Sequence, residues 1–206
     1  MAKAFKRKGD RFVAHLDEVE REVVVGLMEQ TRAFLAPTHR EPTGDAFDDL
    51  VATLGVRKPD DSGASGSGPP RDPALDRLLP AAHRDDPAMA AEFRRLTEHG
   101  LRERKTANLA TAISALQAGD EVNGKATDKD RDKVRLNLVQ AQALVVALTD
   151  VRLLLGERLG LRTDEDAEDL QDLLEAASAD DPELTLATYY DFMTWLQESL
   201  TQALMA

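Results

Sequence analysis

The chain has 206 residues and a net charge of −12, with 31% charged and 42% apolar side chains. These are the proportions of a soluble globular protein with enough chain to bury a core unaided by metals or disulfides. The lack of cysteine excludes disulfide scaffolds, thiolate zinc sites, CxxC redox chemistry and cysteine nucleophiles, while 4% aromatics, 12 glycines and 9 prolines disfavour collagen-like, silk-like and wholly disordered classes.

The chain opens on a hairpin pattern: Phe5-Lys6-Arg7-Lys8, the turn Gly9-Asp10, then Arg11-Phe12-Val13-Ala14-His15-Leu16, with Gly9 supplying the positive φ of a primed turn. Two strands alone are marginal, so the hairpin must lean on the helices that follow. Asp17 with Glu20 three residues on is a capping box, and Val19, Val23, Val24, Leu27, Met28, Phe34 and Leu35 form a helical stripe that ends before Pro37. A short helix is expected over 45–54, closed by Gly55. Residues 57–73, rich in Gly, Ser and Pro, read as a flexible linker.

Leu75, Leu78 and Leu79 make a helical turn or two before Pro80. Asp86-Pro87 opens a long helix to about Ala118, its stripe running through Met89, Phe93, Leu96 and Gly100 and then drifting to Leu101, Ala112 and Leu116. The polar residues 119–130 connect it to a second long helix, expected from about Asp132 to Leu159 with Val134, Leu138, Ala141, Val145, Leu148, Leu155 and Leu159 inward and Gly160 at its end. Thr163 caps a further helix through Leu170, Leu173 and Leu174, and Asp181-Pro182 starts the last, with Leu186, Tyr189, Tyr190, Met193, Leu196 and Leu200 on one face. The expected fold class is mainly α: a bundle of five or six helices with a small N-terminal β-hairpin, forming one helical domain over residues 1–206.

Charge is unevenly placed. From Thr163 to Ala206 there is no Lys or Arg but there are 12 of the 38 carboxylates, which leaves 26 to balance the 26 cations of residues 1–162. An acidic field repels phosphate backbones, so no nucleic-acid partner is expected, although Lys3, Lys6, Arg7, Lys8 and Arg11 form a local basic cluster. No uncharged run exceeds the 14 residues of Leu136 to Thr149, short of a bilayer span, and no apolar segment follows the basic start. No membrane contact is expected, and the cytoplasm is the expected location.

Two cations interrupt apolar stripes. Arg152 falls among Val145, Leu148, Leu155 and Leu159, and Lys105 lies between Leu101, Leu109, Ala112 and Leu116, with Arg104 beside it and Asn108 one turn on. A buried charge is costly unless paired, so each either meets a carboxylate, reaches water along its stem, or faces a pocket for a carboxylate or phosphate. Arg152, Lys105, Asn108 and Arg104 are therefore the candidate anion or partner site.

No catalytic constellation, cofactor motif or metal set is expected. His15, His39, His83 and His99 are scattered, and His99 with Glu103 reads as a surface pair. The acids from Asp164 to Glu175 approach a calcium loop, but Asp169 stands where such a loop needs glycine. GxSxG, a GxGxxG after a strand, and a P-loop are all missing.

Residues 75–112, 148–160 and 190–204 carry a further pattern, marked by Arg94-Arg95, Arg104-Lys105 with Asn108, and Asp150-Val-Arg152-Leu-Leu-Leu-Gly156-Glu-Arg158. With the hairpin and first helix, it resembles an actinobacterial family of uncharacterised helical proteins, a domain of unknown function. The resemblance spans most of the chain outside 57–73 and 119–131, and Thr149 stands where the family tends to have Asn. It implies a source consistent with 18 Arg against 8 Lys, and genes often adjacent to that of the ClpS adaptor of the Clp protease. It implies no catalytic residue. The resulting expectation is a non-catalytic helical interaction or regulatory protein with a protein partner, a homodimer included. The alternative is a small-anion binder or enzyme using Arg152 and Lys105.

Overall fold

The computed structural model describes residues 2–36, 72–80, 82, 86–118, 132–163, 165–166, 168–170 and 182–206. The expected helix over 45–54, the 57–71 part of the linker and the 119–130 connection lie outside them. Strands β1 (Lys3–Lys8) and β2 (Arg11–His15) form the expected hairpin, with Gly9 at φ 65° in its turn. Helix α1 (Glu18–Leu35) follows, then α2 (Pro73–Leu78), α3 (Pro87–Gln117), strand β3 (Lys133–Leu136), α4 (Leu138–Arg158) and α5 (Pro182–Met205). The molecule is mainly helical, with a small antiparallel sheet in the order β1-β2-β3.

The third strand corrects the sequence reading, which began a helix at Asp132. Val134 and Leu136 are buried while Arg135 is exposed, the period-two pattern of a strand. Val134 suits a helical stripe with Leu138 as well as it suits a strand, whereas Leu136, two residues on, suits only the strand. Asn137 then starts α4: its side chain accepts from Gln140 N (2.9 Å) and its own N–H donates to Gln140 Oε1 (2.9 Å), a capping box. β3 pairs with β2, Phe12 opposite Leu136 and Ala14 opposite Val134, and Leu16 N donates to Asp132 O at 2.7 Å.

The expected capping box of α1 is present, Asp17 with Glu20. Asp72, expected within the linker, caps α2 by accepting from Ala74 N at 2.9 Å. At the far end of α4, Gly160 at φ 74° lets its own N–H reach Glu157 O (3.2 Å) and Leu161 N reach Gly156 O (2.8 Å), a Schellman closure. Thr163 and Asp166 exchange hydrogen bonds as the expected cap of the next helix.

α4 lies at the centre, packed against α1, α2, α3 and α5. Leu144, Ala147, Leu148 and Val151 are fully buried there, with Leu109 and Leu116 of α3, Met28 of α1, and Met193, Leu196 and Leu200 of α5. Leu138–Arg158 is long and apolar enough to cross a membrane by length and composition, with mean hydropathy 1.6; here it is the hub of the helical core. The hairpin leans on α5 as required: Phe5 N donates to the Ser199 hydroxyl (3.3 Å), which donates to Leu196 O. Several stripe positions point outward instead of inward: Val19 on α1, Met89, Phe93 and Leu96 on α3, and Leu138 on α4 are exposed.

Candidate functional site

The two cations singled out from the sequence fall on different sides of α4. Asp150 and Arg152 are two residues apart, a turn of about 200° around a helix. One therefore faces α3 and the other α5.

Toward α3, Lys105 donates to Asp150 Oδ1. Asp150 is 1% exposed, and its second oxygen has no partner. Burial pushes its carboxyl above the ordinary range, and the Lys105 ammonium opposes that rise. The pair ties the middle of α3 to the middle of α4. Asn108, one turn along from Lys105, is half-buried, and Arg104 is exposed.

Toward α5, Arg152 Nη1 donates to Gln197 Oε1 at 2.7 Å, and Nη2 lies 3.4 Å from the Tyr190 hydroxyl. The guanidinium carbon is 5.3 Å from the centre of the Tyr190 ring, a cation–π arrangement. Gln197 Nε2 in turn donates to Thr149 Oγ1 at 2.8 Å. These contacts set α4 and α5 antiparallel. A Cβ at Gly156 would lie 3.6 Å from the Tyr190 ring, an ordinary van der Waals contact, so α4 and the ring are close neighbours there. Arg152 Nε is buried without a partner, and among the described residues no carboxylate pairs with this guanidinium.

The four candidate residues are thus not gathered in one place. Lys105 is engaged with Asp150, Arg152 with Gln197 and Tyr190, and the body of α4 separates them. The sequence leaves a carboxylate partner as one of three alternatives and does not single out Asp150, although its neighbours Ala147, Leu148, Val151 and Leu155 are apolar. Gln197 and Tyr190 were also missed. Their spacing of seven puts them on one face of α5, but only helix packing reveals which cation they meet.

His99 and Glu103 form the expected exposed pair, at 3.4 Å. Among the described residues no three His, Asp or Glu side chains are grouped to hold a metal ion. A hollow of about 320 Å³ opens beyond the end of α4, between Arg158, Leu161, Asp166, Asp169, Leu170 and Leu186. Two of its polar walls are engaged: Arg158 donates to Asp72 (2.6 Å), and the Asp166 carboxylate accepts from Arg162 N (2.8 Å) and Thr163 N (2.7 Å). Backbone hydrogen bonding holds that carboxyl below the ordinary range. What surrounds Arg152 is suited to hydrogen bonding and charge placement.

No curated protein and no solved structure matches the chain. Residues 2–204 match the family described as domain of unknown function DUF2017, and the chain, covered almost end to end, belongs to that family.

Proposed function

We propose that this protein is a non-catalytic helical interaction or regulatory protein whose output is a contact made by a helical face. The observation that carries this reading is the outer side of α4, the helix that organises the core. Leu138, Val139 and Val146 leave 52%, 68% and 39% of their surface in water, while the inner side of the same helix is fully buried. Large apolar side chains grouped on a hub helix favour a partner surface over solvent. Beside it, α5 presents Asp191 and Glu198, part of a stretch with no Lys or Arg, which favours a partner with basic character at its rim. A second copy of the chain is one such partner to test. The genetic neighbourhood implied by the family resemblance directs the search toward the Clp protease machinery.

Affinity capture with native protein and with Val139→Glu/Val146→Glu tests the reading. Both positions are exposed, so the fold is retained, which circular dichroism checks. A partner, or a second copy, recovered by the native protein and lost by the variant supports it. A native protein that is monomeric and recovers nothing specific contradicts it.

A second reading, an anion site at Arg152, is favoured by its buried, unpartnered Nε–H and the lack of a carboxylate among its described neighbours. Melting temperatures measured against inorganic phosphate and small dicarboxylates test it. A rise in the native protein that vanishes in Arg152→Met supports this alternative.

A further inference from the structure

The basic cluster at the start of the chain acquires a definite geometry in the sheet. Residues paired across antiparallel strands share a face. The register sets Lys8 opposite Arg11, Lys6 opposite Val13 opposite Arg135, and Lys3 opposite His15 opposite Lys133. The inner face carries Phe12, Ala14, Val134 and Leu136 into the core. The outer face is therefore a grid of four lysines, two arginines and a histidine around Val13, and none of its positions is Asp or Glu. Lys3, Lys6, Lys8, Arg11 and Arg135 are exposed, and Lys133 and His15 half-exposed. Val13, at the centre of this face, is itself buried.

Neighbouring strands lie about 4.8 Å apart, and alternate residues of a strand about 6.7 Å apart. Both spacings fall within a Debye length of about 8 Å, so the fields of adjacent cations add. His15 reports that addition: burial and then Lys3, Lys133 and Lys8 hold its imidazole below the ordinary value, with only Asp132 opposing. In a molecule of net charge −12, such a concentration of one sign runs against the overall field.

We propose that the outer face of the β1-β2-β3 sheet is a docking surface for an acidic, extended segment of a partner protein. The proposal goes beyond the helical-face reading, since it concerns another surface and the opposite charge. An extended chain repeats its side chains at the same interval as Lys6 and Lys8, so carboxylates at alternate positions meet successive cations. Polyanionic nucleic acid fits less well. The aromatic residues of these strands, Phe5 and Phe12, are buried, which leaves no platform for stacked bases, and the acidic remainder of the molecule opposes a long phosphate backbone.

Fluorescence anisotropy with a short labelled oligoglutamate peptide, repeated with duplex DNA and phosphatidylserine vesicles, tests the proposal on the full chain. The native protein is expected to bind the peptide with an affinity that falls as salt is raised. Lys6→Glu/Lys8→Glu is expected to weaken it at least about tenfold. Arg95→Glu/Arg162→Glu, the same charge change on exposed arginines away from the sheet, is expected to have a much smaller effect. No peptide binding, an equal loss in the two variants, or tighter binding to DNA or vesicles than to peptide each overturns it. Val139→Glu/Val146→Glu is expected to bind peptide normally, so the fate of this proposal and that of the helical-face reading are read separately.

Discussion

Asp150 is the most exacting single residue in the molecule. A carboxylate in the packed centre of α4 is tolerable only because Lys105 reaches it from α3. Lys105→Met is therefore expected to lower the unfolding free energy by about 3 kcal/mol, since it strands a buried acid. Lys105→Met/Asp150→Leu is expected to recover most of that loss, and urea unfolding of the three proteins checks both. His15 carries a weaker but signed effect. Its imidazole is held below 6.5 in the folded state, so the unfolded chain binds the proton more readily as the pH falls past 6.5. Its contribution to stability is full above that pH and is lost as the pH drops toward the folded value. His15→Gln is expected to flatten that part of the stability profile. At this scale the sequence was half legible. Arg152 and Lys105 stand out because a cation inside an apolar stripe needs an explanation, whereas Gln197, Tyr190 and Asp150 acquire meaning only when α3, α4 and α5 meet.

Elements were most legible where a terminus carries its own chemistry. Asp17 with Glu20, Asp86-Pro87, Thr163 and Gly160 each mark a boundary by satisfying or freeing backbone groups at a helix end. β3 was missed because Val134 fits a helical stripe as well as it fits a strand. The signal that separates the two was present three residues later, in the pairing of Asn137 with Gln140. Asn137→Ala removes that cap at the junction of β3 and α4, and a destabilisation of about 1 kcal/mol is expected in denaturant unfolding. The exposed Met89, Phe93 and Leu96 show the converse limit. A periodic apolar stripe says that a face is greasy, and only the packing of other elements says whether it is covered.

At the scale of the whole molecule, the inner cations of the described residues are held between helices, with Asp150 Oδ2 and Arg152 Nε left without partners. The inner cations are answered by Asp150, Gln197 and Tyr190. The outer surface holds an apolar side of α4, an acidic α5 and a basic sheet face, three different invitations to a partner. On the function proposed above, that division marks a protein that works by contact, as opposed to one that binds a small molecule at its centre. The side chain of Arg152 reports on it most directly. In a nitrogen-15 NMR titration with phosphate and with malonate, its Nε–H resonance, assigned by its disappearance in Arg152→Lys, is expected to stay in place. A saturable shift of that resonance, accompanied by loss of the Gln197 side-chain contact, would contradict the account and place an anion where the chain now closes upon itself.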